Sequence, residues 1–436
     1  MHKALVRMAA VLMAGLLPFS AFQKTLRAES GNNDNSGKAI RSGTAHITGA
    51  IESNIYFGNY WQSVKSEDAA DSNKEPVKWR VLANDGSLFV VSDKNLDCIE
   101  YNSSAETVTW ENCSLRKWLN GKFLDKAFTT QEQGAVLESL VVNEDGAKGS
   151  EAGADTYDKV YLLSIYEVID PELGFPTDWK AKGGTRVALN TEYTRSKRAM
   201  TSSDMSGAWW LRTPGDAKNA ANVFNAGNVF VRGGNVNNFI FAVRPAMNID
   251  TSKVLFTSPA EGGKTSGAPG PDAMKEVGSY TGSDWKFTIK DDSRPVFEAS
   301  VSGSKTILKD GAVKLRYKGA STGENEYISA VIEDTDGSIL YYGNIAGSTS
   351  ADAKDSGKAA INVPAELTPG NYTLKVFSEQ CNGDFKTDLA SNIVTLDITI
   401  SKYKTADRNL LIGIGAAVVI AASVAVVFAV RKKKHA

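Results

Sequence analysis

The chain has 436 residues, of which 42% are hydrophobic and 23% charged, and both fractions are ordinary for globular proteins. Such a length accommodates about two or three domains. The formal net charge of -1 argues against a global attraction to nucleic acid or to an anionic surface. We therefore expect a multidomain protein with no nucleic-acid partner.

The amino terminus, residues 1–28, has the pattern of an export signal. A positively charged start precedes an apolar run at 8–22, and small residues follow up to Ala28. Cationic residues directly after the run leave an uncleaved membrane anchor as the alternative, and both interpretations place the next segment outside the cytoplasm. Residues 29–43 are rich in Gly, Asn and Ser without a periodic apolar face, which predicts a flexible leader.

Residues 44–250 combine strand and helix signals, which predict an α+β domain. Alternating apolar residues on both sides of an Asp-Gly turn predict a β-hairpin over 77–92. Apolar residues at helical spacing predict one helix over 115–120, and a capping threonine with acidic residues after it predicts a second over about 130–140.

Several ordered motifs run along this domain, and they include Trp79-Arg80-Val81-Leu82, Leu115-Arg116-Lys117-Trp118-Leu119-Asn120, Trp209-Trp210-Leu211-Arg212 and Val243-Arg244-Pro245-Ala246. They resemble the "domain of unknown function 6273" family, found in exported and membrane-anchored proteins of Gram-positive, gut-type bacteria. The resemblance implies an architecture and a habitat but no reaction, because the family carries no established activity.

The closing section of the domain also resembles C-type-lectin-like domains of the formylglycine-generating-enzyme type. A Trp-Arg segment, followed by a Gly-rich hairpin that ends in Val-Arg-Pro-Ala, carries this resemblance. It implies a C-type-lectin-like fold, and fold-level analogy alone implies no chemistry. The metalloenzyme of that type needs a cysteine pair near the Trp-Arg end, and this sequence has none there, so inherited activity is not expected.

The closing motifs and the Asn-rich segment between them supply the candidate ligand-binding residues. Trp rings can stack on a pyranose face, and Asn side chains can bond sugar hydroxyls or ligate calcium. The alternative is that the Asn residues form hairpin turns and the Arg residues are structural. A calcium loop normally supplies several acids and Asp216 is alone, so we expect no metal and no cofactor. The candidates are Trp209, Trp210, Arg212, Asn219, Asn222, Asn228 and Arg244.

No catalytic residues are predicted. Outside the terminal segments the sequence has one histidine, His46, so a Ser-His-Asp, Cys-His or ordinary zinc site lacks its components. Paired carboxylates remain open as acid/base groups, but the sequence alone brings no two of them together. Cys98 and Cys113 form either a disulfide or two buried small hydrophobes, and both alternatives stay open.

The composition changes after Asp250. Residues 251–284 are rich in Gly, Ser and Pro, which predicts an interdomain linker. Residues 285–402 contain short alternating strands and resemble bacterial immunoglobulin-like sandwiches. We therefore expect an all-β immunoglobulin-like sandwich that acts as a stalk for the α+β domain.

Residues 409–430 are an apolar run that predicts a single C-terminal transmembrane helix. At a rise of about 1.5 Å per residue the run is long enough to span the hydrocarbon core. The cationic tail, 431–436, is expected in the cytoplasm by the positive-inside rule. Small residues at every fourth position could form a homodimer face, and these are Gly413, Ala417, Ala421 and Ala425.

Together these patterns predict a single-pass, membrane-anchored bacterial cell-surface protein with most of its mass outside the cell. Its distal domain is expected to bind or display to an extracellular ligand, either a glycan or a protein. The alternatives are an extracellular carboxylate-dependent hydrolase and a purely structural surface protein. The lack of a usable histidine and of paired cysteines favours binding over catalysis.

Overall fold

The computed structural model describes residues 37–347 and 355–402. The predicted export signal, transmembrane span, cytoplasmic tail and dimer face lie outside these described residues. Within the two described ranges, no helix combines the length and the apolar character that crossing a membrane requires.

Strands dominate the structure, with 41% of the described residues in strands and 11% in helices. Up to residue 250 the strands are β1 (Arg41–Ser42), β2 (Asn54–Trp61), β3 (Lys74–Asn84), β4 (Ser87–Ser92), β5 (Asp97–Cys98), β6 (Ser139–Val141), β7 (Thr156–Asp158), β8 (Val160–Tyr161), β9 (Trp209–Pro214), β10 (Asn219–Val223), β11 (Val229–Asn235), β12 (Ala242–Val243) and β13 (Ala246–Asp250). After residue 250 they are β14 (Val254–Pro259), β15 (Lys275–Glu276), β16 (Asp284–Lys290), β17 (Glu298–Val301), β18 (Thr306–Leu308), β19 (Ala312–Lys318), β20 (Glu326–Glu333), β21 (Ile339–Gly347), β22 (Ser356–Asn362), β23 (Gly370–Gln380), β24 (Asp388–Ala390) and β25 (Val394–Ser401).

The helices are short. The α-helices are α1 (Ser114–Trp118), α2 (Leu124–Ala127), α3 (Thr130–Gln133) and α4 (Glu192–Ser196), and a π-helical turn (Leu119–Phe123) joins α1 to α2. Single 3-10 turns cover Ser66–Asp68, Asp71–Asn73, Glu167–Ile169, Pro171–Leu173, Gly184–Arg186 and Thr251–Lys253.

The predicted fold class, an α+β C-type-lectin-like domain beside an independent all-β immunoglobulin-like sandwich, is wrong. The structure is mostly β and is divided among several sheets. The helix expected over 130–140 shows the physical reason for the error. A capping box between Thr129 and Glu132 starts α3, but the helix ends at Gly134 and the strand β6 follows, paired with β7. A good cap starts a helix, whereas its length depends on tertiary packing that a local pattern does not contain.

The β-hairpin expected over 77–92 is confirmed. Strands β3 and β4 pair antiparallel, and Gly86 in the turn between them has a φ of 109°. A positive φ at this point favours glycine, which explains why the Asp-Gly signal was informative.

One large sheet runs through both halves of the described chain. Its main path is β15-β21-β20-β23-β24-β16-β2-β3-β4-β13-β8, with β1, β14, β18 and β25 paired beside it. Strand β16 connects the halves because it is parallel to both β2 and β24, pairing Trp285 with Ile55 and Ile289 with Leu389. Strand β14, from the segment expected to be a linker, pairs with both β16 and β1. Since β1 belongs to the expected flexible leader, that part of the leader is folded.

The first hydrophobic core also contains residues from both halves of the described chain. The first hydrophobic core surrounds Trp79 and Trp209 and also contains Trp285 and Phe287 from β16. Burying an aromatic side chain of this size contributes about 1.5–3 kcal/mol. The first core is therefore completed by residues from beyond the expected linker. A second core lies between the β17-β19-β22 sheet and the strands β20, β23 and β25.

Candidate functional site

The two adjacent tryptophans predicted as ligand contacts lie in the core. Trp209 and Trp210 are fully buried on β9. The indole N–H of Trp209 donates to the carbonyl of Arg186 at 3.1 Å, and that of Trp210 donates to the carbonyl of Ile99 at 3.1 Å. The Trp210 ring also packs on Phe241, with ring centroids 4.4 Å apart. Their polar atoms are satisfied inside the protein, so neither ring offers a face to a ligand in solvent.

The predicted Arg212 holds three backbone segments together. Its guanidinium pairs with Glu167 and donates to the carbonyls of Leu162 at 2.9 Å and Val142 at 3.1 Å. An arginine bonded in this way to a carboxylate and two carbonyls has few donors left for an anionic ligand. This placement agrees with the structural interpretation of the residue.

The predicted Arg244 is also a core residue. Its Nε donates to the carbonyl of Ser92 at 2.9 Å, and its guanidinium lies 5.0 Å from the ring centroid of Trp209. Trp209 and Arg244 both donate to the carbonyl of Arg186, the arginine at the longer distance of 3.4 Å. Burial lowers the pKa of Arg244, and the neighbouring Arg80 lowers it further. The two closing motifs therefore meet each other rather than a ligand.

Arg186 is a structural residue that the sequence analysis missed. The local sequence signal that could have identified it is the Gly183-Gly184 step before it, where both glycines have a φ of 74°. The Arg186 side chain is fully buried, and its guanidinium holds several points of the irregular backbone around it together. It donates to five carbonyls, those of Val168, Pro176, Asp178, Ala181 and Gly227.

The three predicted asparagines lie on the β10–β11 hairpin. Asn219 is half-buried opposite Asn235, and Asn228 is half-buried in the turn, where its carbonyl accepts from the N–H of Phe224 at 2.9 Å. Asn222 is fully buried, and both polar atoms of its side chain have no hydrogen-bond partner among the described residues. The hairpin agrees with the alternative that these residues serve turns and strands, and it does not bring the three side chains to one surface.

An open cleft lies elsewhere, at the end of β2. It has a volume of ≈ 680 Å³. One side is formed by the residues that come directly after β2 and by the polar segment before β3. The other side is formed by the start of α4. The lining residues are Gln62, Ser63, Val64, Lys65, Asp68, Glu75, Lys94, Asn190, Thr191, Glu192 and Arg195.

The two walls of the cleft are bonded to each other. The backbone N–H of Tyr193 donates to the carbonyl of Gln62 at 3.1 Å, and the N–H of Ser66 donates to the hydroxyl of Ser196 at 2.9 Å. Behind the walls the ring of Trp61 stacks on that of Tyr193, with centroids 5.4 Å apart. These contacts fix the cleft's width, because both walls rest on buried aromatic packing.

Local capping positions the side chains of the second wall. The hydroxyl of Thr191 accepts from the N–H of Thr194 at 3.1 Å and starts α4, which presents Glu192 and Arg195 one turn apart as an ion pair. The lining residue Asn190, which we call the floor of the cleft, is held in place because its amide oxygen accepts from the side-chain N–H of Asn95 at 2.7 Å. The wall and the floor are thus preorganised by bonds within the protein.

The cleft is polar and electrically balanced. Three cationic residues, Lys65, Lys94 and Arg195, face three acidic ones in the lining. Two of those acids already have partners: Glu75 accepts from the N–H and the hydroxyl of Ser63, at 3.1 and 3.0 Å, and Glu192 pairs with Arg195. Such a surface can bind a ligand through hydrogen bonds and charges of both signs.

Two exposed apolar side chains border the α4 wall. Leu189 and Met205 are each 44% exposed. They lie on adjoining segments, since the N–H of Asn190 donates to the carbonyl of Met205 at 2.8 Å. The sulfur of Met205 is 3.2 Å from a guanidinium nitrogen of Arg195, which links this apolar edge to the polar lining. A ligand in the cleft therefore has both polar and apolar surface to contact.

His46 has a structural role. His46 packs edge-on against Trp285, with centroids 4.6 Å apart, and its Nε2 lies 3.0 Å from the hydroxyl of Thr257. Burial, with a smaller contribution from Arg41, lowers the pKa of His46 to about 3, so it is uncharged at neutral pH. The histidine is not among the residues that line the cleft.

The three cysteines are free. Cys98 and Cys113 are both buried, which agrees with the small-hydrophobe alternative rather than a disulfide. The sulfur of Cys113 accepts from the N–H of Arg116 at 3.4 Å and caps α1. Across the described ranges, no three His, Cys, Asp or Glu side chains converge in a group that could hold a metal ion.

Comparison with known proteins supports the family resemblance over one part of the chain. The family model described as "Domain of unknown function (DUF6273)" matches residues 85–251 and confirms the resemblance. No curated protein matches the chain. The matched range contains Lys94 and the α4 wall of the cleft, whereas the opposite wall, from Gln62 to Glu75, lies outside it.

Proposed function

We propose that this chain is a bacterial cell-surface protein whose cleft binds an extracellular protein or peptide that carries charges of both signs. The observation that carries the proposal is the cleft lining, which contains three cationic and three acidic side chains together with amides and hydroxyls. Such a surface complements a polar chain of low net charge. A ligand with charges of only one sign would be repelled by the lining side chains that carry the same sign. The apolar edge formed by Leu189 and Met205 supplies contact area beside the charges.

A glycan is the second candidate ligand. Hydroxyl and amide groups from Ser63, Asn190 and Thr191 suit sugar hydroxyls. Sugar sites usually add an aromatic ring that stacks on the pyranose face. The lining given above contains no such ring, and the nearest tryptophan of the β2 wall, Trp61, is buried behind it against Tyr193. The lining therefore favours a polypeptide over a sugar.

The proposed location rests on the sequence. The export pattern of residues 1–28 and the apolar run at 409–430, followed by a cationic tail, favour a protein held at the cell membrane with its main part outside. Protease treatment of intact cells tests this location. We expect antibodies against the described region to lose their signal after treatment, while a cytoplasmic marker survives. Protection of the region would contradict an extracellular position.

The ligand class is tested by screening the purified full chain on arrays of peptides and of glycans. We expect binding to peptides of mixed charge, and weaker binding as salt is raised. The variant Lys94→Ala/Arg195→Ala should bind about tenfold or more weakly, because each removed charged hydrogen bond contributes about 1.5–3 kcal/mol. The control is Lys148→Ala, which removes an exposed lysine outside the cleft lining.

Two outcomes would contradict the proposal. Unchanged peptide binding by Lys94→Ala/Arg195→Ala, with the variant folded by circular dichroism, would place the ligand elsewhere. Binding to glycans alone, with the same loss in the variant, would retain the cleft and replace the ligand class.

A further inference from the structure

A buried cluster of four charged side chains lies in the large sheet, away from the cleft lining. Lys286 on β16, Glu379 on β23 and Asp388 on β24 come from neighbouring strands, and Lys264 reaches them from the segment between β14 and β15. Their side chains are 0–4% exposed. Two positive and two negative charges are thus removed from water together, which costs several kcal/mol per ion before they interact.

The arrangement around Asp388 is asymmetric. The ammonium of Lys264 lies 2.7 Å from Oδ2 of Asp388 and 3.1 Å from Oε2 of Glu379. Lys286 Nζ lies 3.0 Å from both oxygens of Asp388, whereas the N–H of Asn382 donates to Oδ1 at 2.8 Å. Oδ2 therefore contacts two ammonium groups, whereas Oδ1 contacts one ammonium group and one backbone N–H.

Glu379 is held on one side only. Its Oε1 accepts from the hydroxyl of Tyr342. Its Oε2 contacts the Lys264 ammonium but forms no regular hydrogen bond within the described residues. A buried carboxylate oxygen in this position can accept a proton from the lysine and return it.

We propose that Lys264 and Asp388 condense into an intramolecular isopeptide bond, with Glu379 as the proton carrier. The contact of 2.7 Å to Oδ2 holds Lys264 Nζ directly beside the carboxyl group of Asp388, as condensation of the two groups requires. The two donors at Oδ1 are placed to stabilise the negative charge that develops there during attack. Condensation leaves one buried pair, Lys286 and Glu379, in place of two.

The reaction balances without an outside reagent. Lys264 transfers one ammonium proton to Oδ2 of Asp388, and the neutral amine attacks Cγ, so that the Nζ–Cγ bond forms and charge collects on Oδ1. Glu379 then takes a proton from the new N–H₂⁺ group and passes it to Oδ2. The Cγ–Oδ2 bond breaks, one water molecule leaves, the carbonyl re-forms at Oδ1, and Glu379 is again a carboxylate.

The resting state explains why the proton transfer comes first. Desolvation acts to lower the pKa of Lys264, but Asp388 and Glu379 outweigh it and the pKa is raised. Desolvation acts to raise the pKa of Asp388, and Lys264 and Lys286 outweigh it in turn. The unreacted pair is therefore ionic, and the bond forms from the small population in which the proton has moved.

Peptide mapping of the folded full chain tests the bond. Trypsin does not cleave after an acylated lysine, so the expected product is the peptide Val254–Lys275, uncut at Lys264 and joined to Thr387–Lys402, lighter than the two together by one water. The variant Lys264→Arg keeps the charge and should lack this product. Glu379→Gln should reduce it at least tenfold, while Glu333→Gln, which alters a second buried glutamate paired with Lys375, should keep it in full.

The peptide map of the wild-type protein tests for the isopeptide bond even if a variant fails to fold. Recovery of the free peptide Val254–Lys264 in full amount from folded protein would overturn the proposal. A product joined through Lys286 instead would show that the attacking amine is misassigned. Full cross-linking in folded Glu379→Gln would remove the proton-carrying role of that residue.

Discussion

Replacing Glu132 with alanine is expected to destabilise both halves of the protein at once. Its carboxylate is 4% exposed and accepts from the N–H of Gly58 at 3.1 Å and from the hydroxyl of Thr387 at 2.8 Å. The other oxygen accepts from the N–H of Thr129 at 3.0 Å and completes the capping box of α3. One side chain thus connects β2, a helix cap and a residue 255 positions away.

The magnitude follows from the donors left behind. A buried donor without an acceptor costs about 1–3 kcal/mol, and loss of a cap costs about 1 kcal/mol. With Gly58 and Thr387 both affected, we expect Glu132→Ala to lower the free energy of unfolding by about 3–5 kcal/mol. Urea unfolding followed by tryptophan fluorescence measures this change. The control is Glu172→Ala, an exposed site where a change within about 0.5 kcal/mol is expected.

A double-mutant cycle sharpens the test. Glu132→Ala and Thr387→Val remove the two partners of one hydrogen bond, so their effects should be less than additive by about 1 kcal/mol. A loss below about 1 kcal/mol for Glu132→Ala, or strict additivity in the cycle, would refute the view that this carboxylate links the two halves.

Two further predictions concern His46 and the floor of the cleft. The folded pKa of His46, about 3, lies below the unfolded value of about 6.5, so its contribution is complete above pH 6.5 and is lost as pH falls toward 3. Between pH 7 and pH 5 the free energy of unfolding of His46→Phe should therefore fall by less than that of the wild type. The difference, measured by urea unfolding, should reach up to about 1.4 kcal/mol per pH unit below 6.5. Equal falls in the two proteins would contradict the assignment. Gly207→Ala should destabilise by about 1–3 kcal/mol and weaken cleft binding, because its Cβ would lie 2.0 Å from the amide oxygen of Asn190. Gly278→Ala, where a Cβ meets nothing within 4 Å, is the control, and equal melting temperatures for the two variants would count against the argument.

Local features were predictable from the sequence. The β3–β4 hairpin follows from period-two alternation and an Asp-Gly turn, and both signals lie within one short segment. The structural alternative for Arg244 also agrees with the structure, where the side chains of Arg244 and Trp209 both donate to the carbonyl of Arg186. Residues whose partners lie a few positions away, as in the β3–β4 hairpin, carry that information in their spacing.

Long-range features were not predictable. The walls of the cleft meet through Ser66 and Ser196, which are 130 positions apart, and nothing in the polar segment before β3 marks it as one wall of a site. Lys264 and Asp388 are separated by 124 positions, and Lys264 lies in a Gly-rich stretch whose composition is typical of a linker. Likewise, alternation along β16 indicates a strand but does not say which strands it pairs with. Sheet pairing is a property of the whole fold, so the continuity of the sheet could not be inferred from the separate segments.

The position of β16 has a consequence for the order in which the protein matures. A chain that leaves the ribosome or an export channel amino terminus first has completed residues 44–250 before Trp285 and Phe287 exist, although both belong to the first core. The edge of β2 that pairs with β16 is also open during this interval. Domains often fold one after another during synthesis, amino-terminal first. Here the first core is incomplete until β16 has been made, so we expect the first half to reach its final stability only after that strand has paired.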